Sequence, residues 1–460
     1  MLCNCESHFP IKITTAGAFA RTHLHLSFKM RIEVTALTVR QFSEKLTFYQ
    51  DHMERCLLPF WEKALDHENG GVYTCFDNSG EHLISKDKFT WSQGRFLWLW
   101  SRLAAMFQTG MLNGDADAYV RHAKKTFSFI ERHAFLENGN CAFLLSETGE
   151  KKEPVPGQGY DTSFYADCFV IMGYSEYARL TGDRSVYNRA LEQYDQLTKR
   201  LEAGTVRSEP YPVPDGCEAH GYSMIMLNVS QELADTAELK NWPHAQRLRQ
   251  RSQDYLCKIM NTFMDEQGRV REVLPLNSEN DELVNSILVR HLNPGHTIEC
   301  MWFVMAEAEK TGNKKIIELA VKAIKKAFEL GWDDEHGGLF RYVDLEGGKP
   351  DGQAVGGPFE QLVTDTWDTK LWWPHSEALY STLLGWLLTK DEDMLRLHHQ
   401  VHDYAFRTFP HSDPSIGEWI QIRSRAGEPM NSVVALPVKD PYHILRNLML
   451  CVERLQSMQR

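Results

Sequence analysis

Apolar residues recur along the chain at the 3.6-residue spacing of helices, and the stop signals between them define twelve predicted helices. These fall at 38–65, 91–109, 115–134, 163–182, 184–203, 219–239, 242–264, 294–311, 313–331, 372–389, 392–410 and 441–458. The even members are apolar around most of the wheel, as in Trp91 to Trp100, Phe164 to Tyr177 and Trp302 to Met305, which suits helices buried on both sides. The odd members are more amphipathic, as in Lys314 to Leu330. Links from an even to an odd helix are very short, for example Gly182-Asp183 and Gly312, whereas the return links run to about a dozen residues or more. The even helices start at intervals of about 56 to 78 residues, a loose sixfold repeat of helix hairpins.

Six such hairpins without long strand-forming stretches predict an all-α closed ring, with the even helices inside and the odd ones outside. Every inner helix then starts at the same end, where the long links surround a pocket. Those links carry turn signals. Asp66 to Tyr73 and Asp333 to Phe340 are near copies, each with a Gly-Gly pair (Gly70-Gly71, Gly337-Gly338) before apolar residues that suit a short strand, and Asp265 to Gly268 is a shorter cousin. Short β-hairpins in the long loops are therefore expected.

Composition narrows the class of partner. The 460-residue chain is 43% apolar, enough for a large core, and its net charge of −12 argues against a sequence-independent grip on nucleic acid or an anionic membrane. A small-molecule ligand is expected. No apolar run approaches the ~20 residues of a membrane span. Residues 1–29 lack an uninterrupted export signal and are expected to be a disordered extension or an upstream start ahead of Met30, with 30–460 as one catalytic domain. The ten cysteines are scattered and are expected to be reduced thiols of a cytoplasmic protein. Cys3 and Cys5 lack partners at zinc spacing, and no metal site is expected.

Chemistry gathers at the starts of the inner helices. Asn293 suits an N-cap and Pro294 the first helical position, which places His296 in the first turn with Glu299 three residues on, able to orient the ring. The positive end of the helix dipole favours a neutral imidazole there. Asp440, Pro441 and His443 repeat this grammar, with Arg446 three residues further, and Pro374-His375 with Glu377 is a weaker version. Ring closure would aim His296, His375 and His443 at one cavity. Arg95, inside an apolar and tryptophan-rich helix start, is a candidate binder of a sugar hydroxyl or an enediolate, and Asp167 is a second charge in an apolar face. Trp91, Trp302, Trp372 and Trp373 could stack on a sugar ring or simply form core. His220 stands near a helix start without a cap or a well-spaced carboxylate. Dinucleotide and phosphate-loop motifs, His-Glu-x-x-His and nucleophile signatures are all absent from the sequence. Histidine with carboxylate and arginine suits proton transfer beside a carbonyl.

These passages, together with Pro59-Phe60-Trp61, Trp91 to Arg95, Ala166 to Phe169, Lys370 to Glu377 and Gly417-Glu418-Trp419, resemble the N-acylglucosamine 2-epimerases and their relatives, the cellobiose 2-epimerases and aldose-ketose sugar isomerases. The resemblance covers roughly residues 38 to 458. It implies an (α/α)6 barrel and a sugar 2-epimerase in which His296 and His443 transfer the C2 proton beside Arg95 and Glu299. His375, Glu377, Trp372, Trp91, Asp167 and Arg446 are the expected substrate-binding residues. The resemblance implies no required cofactor and leaves a homodimer open. In one run, Asn431 to Asp440, this chain lacks the glycine- and lysine-rich wording usual before the last histidine, which argues against activation by a nucleotide such as ATP.

N-acylglucosamine and N-acylmannosamine are the substrates the resemblance favours. An aldose-ketose isomerase acting on mannose would use the same bases, and a cellobiose-type epimerase shares the wording Pro441-Tyr442-His443. A glycoside hydrolase would need two carboxylates flanking a bond, with Asp167 and Glu418 as the candidates. A non-catalytic sugar-binding protein is the remaining reading.

Overall fold

A ring of six helices closes on itself in the computed structural model, which describes residues 41–432 and 436–459. Residues 41–48 are helical and belong to one unit, and residues 49–460 form another. The expected extension at 1–29 lies outside the described residues. In the larger unit a π-helical turn, Met53–Leu57, leads into α1 (Leu58–Lys63). Then follow α2 (Thr90–Gln108), α3 (Ala116–His133), α4 (Tyr165–Thr181), α5 (Arg184–Glu202), α6 (His220–Lys240), α7 (Ala245–Lys258), α8 (Pro294–Thr311), α9 (Lys314–Gly331), α10 (Trp372–Thr389), α11 (Glu392–Thr408) and α12 (Tyr442–Ser457). Successive even helices pack side by side, and α12 packs on α2 to complete the ring. The chain is thus an (α/α)6 barrel, with α3, α5, α7, α9 and α11 each laid outside the even helix that precedes it.

Sequence explains which helices go where. Nearly every residue of α4, from Ala166 to Ala178, is buried, whereas α9 buries one stripe (Ile317, Ala320, Val321, Ile324, Phe328) and leaves its lysines outside. Outer helices start on side-chain caps, such as Asp115, Asp183, Asn313 and Asp391. Inner helices α2, α6 and α10 instead continue directly from short strands, β1 (Lys88–Phe89), β2 (Cys217–Ala219) and β3 (Lys370–Leu371). Close approach of α2 and α4 depends on two glycines: a Cβ on Gly94 would come 2.5 Å from the Phe169 backbone, and one on Gly173 would come 2.5 Å from the Gly94 carbonyl.

The near-identical turns hold buried lysines. Asp66 Oδ1 accepts the Glu68 and Asn69 N–H groups, while its Oδ2 accepts Lys88 Nζ at 2.6 Å. Asp333 repeats this arrangement with the N–H groups of Glu335 and His336, and with Lys370 Nζ at 3.1 Å. Both lysines are fully buried and also donate to carbonyls of the glycine pairs, Gly70 and Gly338. Each ion pair pins an Asp-Gly-Gly turn to the residue that leads into an inner helix. In the shorter cousin Asp265 is paired with Arg269 instead. A short helix, Pro358–Thr366, was not predicted; it lies in the long link before α10. Among the described residues no helix is long and apolar enough to cross a membrane.

Candidate active site

All six inner helices contribute residues from their first turns to one cavity of about 250 Å³, a size that suits a small ligand. Trp91 and Arg95 come from α2, Tyr165 and Phe169 from α4, Tyr222, Ile225 and Asn228 from α6, His296, Glu299 and Phe303 from α8, Trp373 from α10, and His443 and Arg446 from α12. The starts of the inner helices therefore lie at one end of the ring.

His296 and His443 line this cavity, and both pack against the indole of Trp373, with ring centroids 5.1 and 5.6 Å away. In each imidazole a carboxylate takes Nδ1. His296 Nδ1 lies 2.8 Å from Glu272 Oε2, and His443 Nδ1 lies 2.6 Å from Glu377 Oε1. That hydrogen bond fixes the tautomer and leaves Nε2 for a ligand. Asn293 caps α8 as expected, its Oδ1 accepting the His296 N–H at 3.1 Å.

The carboxylate that orients His296 differs from the predicted one. Glu299 sits 3.7 Å from His443 Nδ1 and 2.6 Å from Arg446 Nη2, so it belongs to the opposite histidine. Glu272, just before the short strand Val273–Pro275, takes its place. Burial works against the His296 imidazolium, but the charge and hydrogen bond of Glu272, with the charge of Glu299, together outweigh burial and raise the ring above its ordinary value, opposite in direction to the pull of the helix dipole. A carboxylate in the run Val270-Arg271-Glu272-Val273-Leu274 was the sequence signal available for this partner.

Behind His443 lies a buried charge network. Arg446 Nη2 bridges Glu299 Oε1 and Glu377 Oε1 at 2.6 and 2.8 Å, and Trp302 Nε1 donates to the other Glu377 oxygen at 2.7 Å. Burial would raise the Glu377 carboxyl, but Arg446 and the His443 and Trp302 hydrogen bonds bring it down to about 2. Glu299, Glu377 and His443 present ligand atoms within 4.8 Å of one another, a spacing that could suit a metal ion. Arg446 occupies both carboxylates, so an added cation would meet a resident positive charge. On the other wall, Arg95 Nη1 pairs with Asp440 at 3.1 Å, and its guanidinium lies over the Phe169 ring at 4.0 Å.

Three predicted substrate-binding residues lie elsewhere. His375 is fully buried away from the cavity, with Nε2 accepting the Leu339 N–H at 2.8 Å, Nδ1 donating to the Leu371 carbonyl at 2.6 Å, and its ring stacked on Tyr404. Burial lowers its pKa to about 3, so it is neutral. Asp167 is buried against Arg200 at 3.3 Å and accepts the Cys141 N–H. Trp372 lines a separate depression beside Gln421 and Lys439, and its neighbour Trp373 faces the cavity instead. Glu377 reaches the site only through His443 and Arg446. Trp91 and Arg446 line the cavity as expected. Besides Glu272, the sequence reading missed Tyr165, Asn228 and Arg341. Glu418, with Asp167 the acid pair of the hydrolase reading, is buried beneath Trp61 and Trp419, so neither carboxylate lines the cavity.

A helical ring with two imidazole-carboxylate couples at one open end has the build of an enzyme that moves protons on a small polar substrate. The model of the N-acylglucosamine 2-epimerase (GlcNAc 2-epimerase) family matches residues 71–447, and the chain belongs to that family, one of carbohydrate isomerases. It is 32% identical over 432 residues to the N-acylglucosamine 2-epimerase of Bos taurus, covering 90% of this chain and 93% of that one. The Homo sapiens enzyme of the same name is 31% identical over 409 residues, covering 87% and 88%. Among solved structures, the cellobiose 2-epimerase from Bacillus thermoamylovorans B4167 superposes with a TM-score of 0.70 at 20% identity, covering 90% of this chain and all of that one. A D-mannose isomerase gives a TM-score of 0.70 at 16% identity, covering 89% and 98%; both likenesses show the fold.

Proposed function

We propose that the chain interconverts N-acyl-D-glucosamine and N-acyl-D-mannosamine by transferring the C2 proton of the open-chain aldose between His296 and His443. The observation that carries this reading is the pair of matched couples, His296 with Glu272 and His443 with Glu377, whose imidazoles line one cavity and both pack against the Trp373 indole. In one direction His443 takes the proton through Nε2 and His296, whose protonated form Glu272 favours, delivers one to the opposite face. The reverse reaction exchanges the roles. Arg95, whose Nη1 alone is held by Asp440, donates to the oxygen that becomes negative in the enediolate. Arg446 bridges Glu299 and Glu377 side by side, which holds the His443 ring in place. Nothing in this scheme calls on a metal or a nucleotide. The relatives named for N-acylglucosamine support the choice of sugar.

Incubation with N-acetylmannosamine in D2O, followed by NMR, tests the reading. The expected result is deuterium at C2 and appearance of N-acetylglucosamine, both lost in His296→Ala and His443→Ala. A ketose product from mannose, with no exchange on N-acetylmannosamine, would replace this reading with the aldose-ketose isomerase.

A further inference from the structure

Among the described residues, Arg341 is the cavity cation that no carboxylate neutralises. Arg95 has Asp440, and Arg446 has Glu299 and Glu377. Arg341 is only 4% exposed, yet its hydrogen bonds go to hydroxyls, Nη1 donating to Thr366 Oγ1 at 2.9 Å and Nη2 to Tyr211 Oη at 3.3 Å, and its guanidinium lies 5.0 Å from the Tyr342 ring centroid. Neutral acceptors offset only part of the cost of burying a guanidinium, so a further oxygen from the cavity side would complete its shell.

The surface beside it is apolar. Tyr211 packs 6.2 Å from Phe359, and Phe359 and Val213 lean on the buried cluster Cys217, Val273 and Val289 while also lining the cavity. A hydroxyl on that wall would lose hydration without a partner. An acyl amide suits both features, because its carbonyl oxygen accepts from a cation and its alkyl group covers an apolar wall. Position agrees with chemistry. Val273 directly follows Glu272, the partner of His296, so the wall begins beside the histidine that addresses C2, the carbon that bears the acylamino group.

We propose that Arg341, with Val213 and Phe359, forms the subsite for the 2-acylamino group: Arg341 donates to the acyl oxygen, and the two apolar side chains cover the alkyl end. The assignment rests on the N-acylhexosamine reading above and deepens it. In Arg341→Met the KM for N-acetylmannosamine rises about tenfold or more while kcat stays within about threefold, as for a contact made equally in ground and transition states. In Phe359→Ala, a change at a half-buried rim residue, the kcat/KM ratio of N-butanoyl- to N-acetylmannosamine rises about fivefold or more as the wall recedes. Unchanged KM in the first variant, or an unchanged chain-length ratio in the second, overturns the subsite. No C2 exchange on N-acetylmannosamine by the unmodified enzyme overturns the functional reading, and the subsite falls with it.

Discussion

Glu377 stands two residues after His375 in the chain, yet its Oε1 accepts a hydrogen bond from His443 Nδ1, 2.6 Å away on a different helix. The first two turns of α10 thus orient a base carried by α12. Glu377→Gln keeps the shape but removes the charge that selects the His443 tautomer and balances Arg446. The kcat for C2 exchange is expected to fall about 100-fold or more, with circular dichroism unchanged.

Glu272 sets the protonation of His296. Because its charge and hydrogen bond help hold the ring above the ordinary 6.5, Glu272→Gln leaves burial opposed chiefly by the charge of Glu299 and lowers that pKa. In the direction where His296 donates, activity requires the imidazolium, so the alkaline limb of the pH-rate profile moves to lower pH in the variant. The same sign holds for stability: the couple stabilises the fold below pH 6.5, and that contribution fades as pH rises through the raised folded value. Rate profiles and urea titrations across pH 5–9 check both.

His375 is a structural residue by its contacts. His375→Phe keeps an aromatic ring but leaves the Leu339 N–H unpaired, and is expected to cost about 1–3 kcal/mol in urea unfolding at pH 8. Its kcat is expected to stay within about threefold of the parent. Since His375 is neutral when folded, with a pKa of about 3, it favours the protonated unfolded chain as pH falls below 6.5. Removing it therefore lessens the loss of stability on acidification.

Lys370 and Asp333 form a fully buried pair, and burial lowers the lysine to about 8 although Asp333 opposes the shift. Lys370→Met strands Asp333 with only the partly exposed Arg425 and is expected to lose about 3–5 kcal/mol, read by urea unfolding. Lys88→Met, in the first copy of the turn, gives a loss of similar size.

Chelation separates the arginine network from a metal centre. Because Arg446 already bridges Glu299 and Glu377, dialysis against EDTA is expected to leave the exchange rate unchanged, whereas Arg446→Met abolishes it. An exchange rate restored by added divalent metal after chelation would contradict this.

Local signals carried the architecture. Periodicity marks the helices, glycine stops such as Gly182 and Gly312 end some of them, and Asn293 caps α8 because a cap depends on neighbours within one turn. The side each histidine faces was not local. His443 is the second residue of α12 and His375 the fourth of α10, so at about 100° per residue it is Trp373, the second of α10, that takes the direction of His443. A proline before a histidine places it at the open end without choosing cavity or core. Glu272 was hidden for a related reason: it reaches His296 from a strand in the preceding link, a contact no helical spacing encodes. Arg341 was hidden too, since its position follows from a turn folded over the ring end.

Because α12 must settle between α10 and α2, the chain completes its barrel and acquires His443 in the same event. Under the two-histidine mechanism proposed above, a nascent polypeptide that has delivered five inner helices holds one half of the proton relay facing an open seam. On that mechanism turnover reports that the last helix has docked, and a lesion that keeps the seam open silences the chemistry before it disturbs most of the helices.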